Sequence, residues 1–405
     1  MHRVRVLPLA LLLAAALLAA AAPAASAAQD RALRSALSRL AARAGGTTSF
    51  AVTDVAAKRV LARVRDTRVT PLASTTKLLT TAAALRTLQP LETGVLLAGP
   101  VAGGVLAGDV VLRGGGDGLL GDAELATLAT AVQAAGVREV QGSVVGDGTR
   151  FDALRGGPGT AFAFDPEIGG TLGALTYLRG RATPAGPVQP DPAQAAAARF
   201  DDVLEARGLV VRGTPRAGTT PLGAVLLGRT QRRVADVVRA ANTDSDDFLA
   251  ETLLKAVGAA QARAGTTAAG AAAATRVVRR LGARQVTLAD GAGLVPGSRG
   301  SVRDLVALLV RLRGTSAFTS SLAVAGRTGT LRDRLTASPA RGRCRAKTGT
   351  LPDTRVSALA GICRARGDRR VAFAIVTTGS AVERARPAQD AMVQRLARWR
   401  RGARR

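Results

Sequence analysis

Histidine is almost absent from this sequence. The single histidine is His2, and it lies within an N-terminal segment that has the features of a cleavable leader. Without histidine a chain cannot form a Ser-His-Asp or Cys-His catalytic site, and it cannot bind zinc through imidazole groups. Any hydrolase in this sequence therefore needs a different base, and we expect no metal site and no cofactor.

Lysine is the second scarce residue. Only four of the 57 basic residues are lysines, at positions 58, 77, 255 and 347, and the other 53 are arginines. Arginine stays protonated in proteins, whereas a lysine side chain can be tuned by its surroundings to act as a base. Two of the four, Lys77 and Lys347, lie in short motifs that carry chemistry.

Aromatic residues make up only 2% of the chain, whereas its formal net charge is +28, or +26 once the two leader arginines are removed. Few side chains are therefore available for stacking on bases, and we expect no nucleic-acid partner. An anionic cell wall or membrane surface fits the charge better. The alternative is that the charge reflects an arginine-rich composition on solvated faces.

The first 27 residues have the organisation of a secretory signal peptide. Arg3 and Arg5 precede an apolar Leu/Ala run over 7–22, and a small-residue stretch ends at Ala27. The run is too short for a stable membrane span, and no cysteine near the cleavage point could take a lipid. We therefore expect a secreted protein that acts outside the cytoplasm or at the cell wall.

Hydrophobic periodicity divides the remaining chain into two parts. Residues 28–90 and 224–405 contain amphipathic helices and alternating strands, whereas 91–223 contain short Val/Leu runs broken by glycines. We predict an α/β protein in which an antiparallel sheet flanked by helices is split by an inserted α+β domain over 91–223. One continuous helical pattern extends from 232 to 257.

Alternation along two short runs near the N-terminus predicts a hairpin with one buried face. The inward-facing residues are Phe50, Val52, Val60, Ala62 and Val64. Similar alternation over 356–362 and 371–375 predicts two adjacent antiparallel strands.

A terminal helix is predicted to open at Pro387. Met392, Leu396 and Trp399 share one face of it, and arginines occupy the rest. This pattern favours packing as the closing helix of the domain, and contact with a membrane surface is the alternative.

Three short motifs carry the chemistry. They are Ser74-Thr75-Thr76-Lys77, Ser245-Asp246-Asp247 and Lys347-Thr348-Gly349-Thr350. A spacing of three on a helix places Ser74 and Lys77 on the same face, so the lysine can reach the hydroxyl. A second cation nearby, such as Lys347, would disfavour the charged form of Lys77 and let it take the serine proton.

The third motif predicts an edge strand that lines a cleft. Gly349 would let the backbone approach a substrate, and the hydroxyls of Thr348 and Thr350 could hold a carboxylate. A similar tetrapeptide at 327–330 lacks the lysine and is followed by charged residues, so we assign the motif to 347–350.

With its motifs in this order, the sequence resembles the class C low-molecular-mass penicillin-binding proteins of type 4, a family of D-Ala-D-Ala carboxypeptidases and endopeptidases with a β-lactamase/transpeptidase-like fold. Further matches lie between about residues 30 and 400. They are Asn242, Ala250-Glu251, the loop Asp290-Gly291-Ala292-Gly293-Leu294, Gly329-Thr330-Leu331 and the segment from Arg113 to Asp117.

The resemblance implies a role for each motif residue. Ser74 would be the nucleophile, Lys77 the acylation base, Ser245 a proton shuttle and Lys347 a source of positive potential. The N–H groups of Ser74 and Thr350 would form the oxyanion hole. The resemblance also implies that the substrates are peptidoglycan stem peptides and that β-lactams acylate the same serine.

Asp247 departs from the family pattern, which usually has asparagine at this place. An aspartate carboxylate cannot donate an amide hydrogen bond to a substrate. Two alternatives to a working peptidase therefore stay open: a catalytically impaired wall-binding homologue, and a β-lactamase or esterase of the same fold.

Cys344 and Cys363 are the only cysteines. Their midpoint falls in the predicted turn 351–354, so they would face each other across a hairpin at a separation close to that of a disulfide. Disulfides persist in exported proteins, so we expect a bridge, and two buried free thiols are the alternative.

Overall fold

The computed structural model describes residues 28–400, so the expected signal peptide lies outside the described residues. The strands are β1 (Thr47–Asp54), β2 (Arg59–Val64), β3 (Thr70–Pro71), β4 (Leu91–Ala98), β5 (Val101–Ala102), β6 (Val105–Leu106), β7 (Asp109–Gly114), β8 (Glu139–Val140), β9 (Val144–Asp147), β10 (Val210–Val211), β11 (Arg216–Ala217), β12 (Val225–Arg232), β13 (Arg299–Gly300), β14 (Ala323–Val324), β15 (Cys344–Leu351), β16 (Val356–Arg364) and β17 (Arg370–Thr378). The helices are α1 (28–42), α2 (Lys77–Thr87), α3 (Asp122–Ala134), α4 (Pro192–Glu205), α5 (Val234–Thr243), α6 (Asp247–Ala262), α7 (Thr267–Arg280), α8 (Val302–Arg311), α9 (Ser316–Thr319) and α10 (Val382–Ala397).

A six-stranded antiparallel sheet in the order β14-β15-β16-β17-β1-β2 forms the centre of the fold. Strand β1 pairs with β17 along its whole length, with Thr47 opposite Thr378. The N-terminal and C-terminal parts of the chain therefore meet in the middle of one sheet. The antiparallel sheet flanked by helices is confirmed, as is the pairing of the strands predicted over 356–362 and 371–375.

The two faces of the sheet are both buried, and they differ in side-chain size. Phe50 and Phe373 point to the face that α1 and α10 cover. Their neighbours in sequence, Ala51 and Ala374, point to the face that α2 and α5 to α8 cover. Because successive side chains of a strand alternate between faces, one pattern of large and small residues serves both layers. The alanines let the second layer of helices pack close to the sheet.

Val60 does not follow the predicted alternation of the first hairpin, because it is 47% exposed. The register between β1 and β2 shifts at Val52 and Thr53, so that Val60 pairs with Thr53 and Ala62 with Val52. A bulge of this kind changes which residues face the core. The prediction of a hairpin is confirmed, whereas the inward orientation of Val60 is wrong.

The terminal helix α10 packs against the sheet. Met392, Leu396 and Trp399 are all nearly fully buried there, which confirms the prediction of a closing helix. The helix begins at Val382, so Pro387 lies within it and does not open it. Across residues 28–400, no helix combines the length and apolar character that crossing a bilayer requires.

The inserted region forms its own sheets and its own core. Strands order as β11-β9-β7-β4-β12 and as β10-β8-β6-β5, with parallel and antiparallel pairs, and α3 and α4 pack against them. Arg232 at the end of β12 pairs with Leu91 at the start of β4. On this pairing we propose that the insert extends to Arg232, beyond the expected end at 223, so that its two ends lie side by side.

Candidate active site

Ser74 lies on a short 3-10 turn, Ala73–Thr76, that leads directly into α2 at Lys77. Ala73 has a φ of +48°, in the left-handed region that residues with a Cβ seldom adopt. Such strained positions concentrate at functional sites. Ser74 is half-buried, whereas the other three residues of the turn are buried. The turn thus presents the serine hydroxyl at its surface.

The side chain of Lys77 is fully buried and meets three oxygen atoms. Its Nζ lies 3.0 Å from Ser74 Oγ, 2.6 Å from Asp247 Oδ1 and 2.9 Å from the carbonyl oxygen of Ala292. A protonated lysine has three N–H donors, one for each oxygen. A neutral lysine would donate to Asp247 and Ala292 and would direct its lone pair at Ser74 Oγ. In its neutral form Lys77 would therefore present its lone pair to the serine hydroxyl, as the proposed role of a base requires.

The loop Asp290–Leu294 supplies the Ala292 carbonyl. The loop presses against the Ser74 turn at Gly293, where an added Cβ would lie 2.0 Å from the carbonyl oxygen of Ala73. Gly293 also has a φ of +80°, so glycine is required there on two grounds. Thr80 Oγ1 donates to the Gly291 carbonyl at 2.7 Å and joins the loop to α2.

The second motif lies where a predicted continuous helix is broken. Helix α5 ends at Thr243 and α6 begins at Asp247, so the expectation of one helical run from 232 to 257 is wrong. Ser245 in the gap has a φ of +64°, and Asp246 caps α6 by accepting from the Leu249 N–H at 2.9 Å. The break allows Asp247 to reach Lys77 and Ser245 to reach Lys347.

The insert reaches this motif through Arg179. Its guanidinium forms an ion pair with Asp246 and lies 5.5 Å from the centre of the Phe248 ring. Arg179 has a φ of +66° and follows Leu178 at +39°, so the segment that delivers this arginine is itself strained. The insert thus helps to fix the residue between Ser245 and Asp247.

Lys347 on β15 is fully buried, and its Nζ donates to Ser245 Oγ and to the Thr348 carbonyl, each at 2.8 Å. Burial lowers the pKa of Lys347 well below its ordinary value, and the nearby charge of Lys77 lowers it further. Ser245 therefore contacts an amine that gives up its proton more readily than an ordinary lysine does.

The edge of β15 is open next to Ser74. Strand β14 pairs only with Arg345 and Ala346, so in the described part of the chain no strand covers the edge from Lys347 onward. An added Cβ on Gly349 would lie 3.0 Å from the backbone nitrogens of Ser74 and Thr75. Glycine at this position therefore lets the strand approach the Ser74 turn, a role that the sequence interpretation had assigned to contact with substrate.

Two further residues border the cleft, and sequence reasoning did not assign them to it. Thr330 Oγ1 lies 2.9 Å from Thr348 Oγ1, and Arg386 of α10 donates to Thr350 Oγ1 at 3.3 Å. Thr330 belongs to the tetrapeptide 327–330 that was set aside in favour of 347–350, although Gly329-Thr330-Leu331 was counted among the family matches. It lies in a 3-10 turn, Gly329–Leu331, beside β15. Nothing in the sequence distinguished Arg386 as a site residue, because arginine is so frequent in this chain.

Cys344 and Cys363 lie opposite each other at the start of the hairpin formed by β15 and β16. The structure joins them in a disulfide, with 4.0 Å between their Cα atoms, and both residues are fully buried. The bridge lies three residues before Lys347 and links the strand of the third motif to the interior of the sheet.

With this geometry established, comparison with known proteins decides the family. Residues 30–165 and 178–399 match the D-Ala-D-Ala carboxypeptidase 3 (S13) family. The chain belongs to this family. The resemblance inferred from the three motifs is therefore confirmed.

One curated relative is a D-alanyl-D-alanine carboxypeptidase of Actinomadura sp. (strain R39), which is 31% identical over 223 residues. The aligned part covers 52% of this chain and 41% of that protein, so the match spans less than half the length of the relative.

Solved structures share the fold. Penicillin binding protein 4 from Haemophilus influenzae superposes with a TM-score of 0.74 at 20% identity, covering 88% of this chain and 97% of the other. The predatory endopeptidase Bd3459 from Bdellovibrio bacteriovorus, acylated by penicillin G, superposes with a TM-score of 0.52 at 16% identity, covering 87% and 91%. The predicted fold class is confirmed by these likenesses.

Proposed function

We propose that the protein is a serine D-alanyl-D-alanine carboxypeptidase/endopeptidase that cleaves peptidoglycan stem peptides through an acyl-enzyme on Ser74. One observation carries the proposal: Ser74 Oγ lies 3.0 Å from the buried Nζ of Lys77. The other two acceptors of that nitrogen, Asp247 and Ala292, direct its lone pair at the hydroxyl. A sequence whose only histidine is His2 has no histidine base to offer in its place.

Acylation begins when neutral Lys77 takes the proton of Ser74. The freed oxygen attacks the carbonyl carbon of the penultimate D-Ala, and the peptide bond breaks with release of the terminal D-Ala. The leaving nitrogen takes a proton from the Ser245 hydroxyl, and Ser245 recovers it from the Lys347 ammonium, whose Nζ lies 2.8 Å away. The proton that Lys77 took from Ser74 then passes to Lys347, so that both lysines regain their starting states. In deacylation neutral Lys77 accepts a proton from the attacking water and returns it to Ser74 Oγ as the ester bond breaks and the shortened peptide leaves.

Binding of the substrate follows from the open edge of β15. An extended peptide can lie along this edge, where backbone N–H and C=O groups from Lys347 onward are available for strand-like pairing. The terminal carboxylate would meet Thr348, Thr350 and Arg386 at the end of the cleft. The N–H groups of Ser74 and Thr350 would stabilise the oxyanion, by about 3 kcal/mol of barrier for each donor.

Relatives support the chemistry and the place of action. The Actinomadura protein is named as a D-alanyl-D-alanine carboxypeptidase. The Haemophilus protein has been solved in complex with a β-lactam, and the Bdellovibrio protein as a penicillin G adduct. The leader-like residues 1–27 support export, and the net charge of +28 supports association with an anionic cell wall.

Fluorescent penicillin tests the proposal. We expect the purified mature chain to be labelled, Ser74→Ala to lose the label and Ser320→Ala, at an exposed serine just after α9, to keep it. Trypsin should place the adduct on peptide 69–77, whose only serine is Ser74, and release of D-Ala from a peptide ending in D-Ala-D-Ala should fail in the same variant.

Other outcomes would contradict the proposal in distinct ways. An adduct on peptide 240–255 would assign the nucleophile to Ser245 instead. Rapid turnover of the β-lactam without release of D-Ala would indicate a β-lactamase. Sedimentation with peptidoglycan without any adduct would indicate a wall-binding homologue that has lost its activity.

A further inference from the structure

Glu251 has a fully buried carboxyl group close to Lys77, the proposed base. It lies on α6, one turn after Asp247, and one of its oxygens accepts from the backbone N–H groups of Gly291 and Ala292 at 2.8 and 2.7 Å. The other oxygen, Oε2, has no hydrogen-bond partner among the described residues. A buried polar group without a partner is costly, so its retention calls for an explanation.

The connection to the base passes through a single residue. The N–H of Ala292 donates to Glu251, and the carbonyl of Ala292 accepts from Lys77 Nζ at 2.9 Å. Glu251 therefore fixes the loop whose carbonyl sets the direction of the lysine. A lysine that lost this acceptor could turn its lone pair away from Ser74.

We propose that Glu251 is a positioning residue for Lys77: it anchors the loop whose Ala292 carbonyl accepts from Lys77 Nζ, and so keeps the lysine directed at Ser74. This inference rests on the proposed function, because it gives Lys77 the role of base. Glu251 contacts neither Ser74 nor a substrate. It therefore acts on Lys77 in two ways only: through its hydrogen bond to Ala292 and through the charge that it gains when it ionises.

The charged groups around Glu251 explain why it holds a proton. Asp290 faces it from the loop, Lys77 from α2, and Lys255 lies one turn along its own helix and pairs with Asp152. Burial and, second to it, the carboxylate of Asp290 raise the pKa of Glu251 to about 8, against the lowering effect of two backbone hydrogen bonds and of the charge of Lys77.

Within the pair, Asp290 is better placed to carry the negative charge. It accepts from the N–H groups of Gly293, Leu294 and Val295 and from the Ser298 hydroxyl, whereas Glu251 accepts from only two groups. Two neighbouring carboxyl groups in a buried site share their titration, so Glu251 keeps the proton of the pair. Above about pH 8 it ionises and adds a second carboxylate near Lys77, which favours the ammonium form and opposes acylation.

The test is the acylation rate with fluorescent penicillin between pH 6 and 9.5 for Glu251→Gln, Glu251→Ala and the matched control Glu205→Gln on the exposed end of α4. Glutamine retains the accepting oxygen but cannot ionise. We expect the ratio of the Gln variant to wild type to rise at least about threefold from pH 6.5 to 9. The acylation rate of the Ala variant should be about tenfold lower at every pH, because the loop 290–294 loses its hydrogen bonds to Glu251. The control Glu205→Gln should have the wild-type rate at every pH.

The inference would be overturned if the acylation rates of Glu251→Gln and wild type changed with pH in the same way. Wild-type rates for Glu251→Ala would overturn it too. Wild type that is never labelled would instead refute the proposed function. Asp290→Asn provides a second measurement if Glu251→Ala does not fold. Removing that neighbouring charge lets Glu251 ionise more easily, so the alkaline decline of the rate should move to lower pH, and an unmoved or upward-shifted decline would also count against the inference.

Discussion

Lys77 Nζ lies 2.6 Å from Asp247 Oδ1, so the proposed base is paired with a carboxylate. Lys77 is fully buried, and the side chain of Asp247 is 24% exposed to the cleft. A negative charge at this distance favours the ammonium form of the lysine, which cannot accept the serine proton. The residue that departs from the family pattern is thus in direct contact with the residue that must lose a proton.

The first prediction is that Asp247→Asn accelerates acylation. The amide removes the negative charge, and its oxygen still accepts from Lys77 while its NH₂ can donate to a substrate carbonyl. At pH 7 the rate with a β-lactam should rise about tenfold, and the acid limb of the pH profile should move to lower pH. Stopped-flow or gel measurements over pH 5.5–9 provide the check. Asp244→Asn, at an exposed position of the same loop, is the control and should leave the profile unchanged.

Slower acylation of the Asn variant at every pH would show that the ion pair organises the site. Removing one partner of a buried ion pair can cost about 3–5 kcal/mol. The unfolding free energy of the variant therefore separates a direct effect on Lys77 from a loss of structure.

The second prediction concerns the contact from the insert. Arg179→Ala removes the ion pair to Asp246 and the contact with the Phe248 ring, so the cap of α6 and the adjacent Ser245 lose their support. Acylation should fall about tenfold. The acylation rate of Arg179→Lys should lie between those of the Ala variant and wild type, because an ammonium group cannot form the paired contact of a guanidinium.

The matched control for this contact is Arg276→Ala at an exposed position of α7. It should acylate at the wild-type rate. Labelling must first be shown to depend on Ser74, by its loss in Ser74→Ala. If Arg179→Ala then acylates at the wild-type rate, the insert does not support the second motif.

The third prediction is that Cys344 and Cys363 are bridged in the purified protein. Unfolded, unreduced protein should react with less than one equivalent of a thiol reagent, and reduction should release two. Replacing both cysteines by serine should lower the unfolding free energy by about 2–3 kcal/mol, because the bridge closes a loop with a sequence separation of 19. Two reactive thiols before reduction would contradict the prediction.

The fourth prediction concerns Asp147 at the end of β9. Burial alone would raise its pKa, but hydrogen bonds from the N–H and hydroxyl groups of Thr149 and Thr220 lower the pKa below its ordinary value. Its ionised form therefore stabilises the fold at pH values above its unfolded pKa. This contribution is lost as the pH falls through the lower folded value.

Asp147→Asn should accordingly lower the unfolding free energy at pH 7 by about 1–3 kcal/mol. The unfolding free energies of variant and wild type, measured by denaturant titration, should converge as the pH falls through the lowered folded pKa of Asp147. Asp353→Asn, in an exposed turn, serves as the control. A difference that stays constant down to pH 2 would mean that shape, and not charge, makes Asp147 important.

Much of the site could be predicted because its side chains carry recognisable chemistry. Ser74 and Lys77 share a helical face through local spacing alone. Ser245, Asp247 and Lys347 are distant in sequence, and their meeting with Ser74 was expected from the order of the motifs. The roles of these residues stay predictions until the experiments above are done.

The remaining features could not be predicted for identifiable physical reasons. The third acceptor of Lys77 is a backbone carbonyl, which any residue at position 292 would supply. Val60 was misassigned because a bulge is a tertiary adjustment of register, and Pro387 because a helix can begin several residues before a proline. Arg179 and Arg386 reach the site from other elements, and nothing local distinguishes them from the other arginines.

The pairing of β1 with β17 has a consequence for biosynthesis. Strand β17 ends at Thr378, so the sheet cannot close until all residues from 47 to 378 have been synthesised. The insert has its own core and is synthesised earlier than β15, the strand that carries Lys347. It can therefore fold before that strand has packed against the Ser74 turn. Because closure over so many residues is slow, β15 would reach its final place beside the Ser74 turn only late in folding.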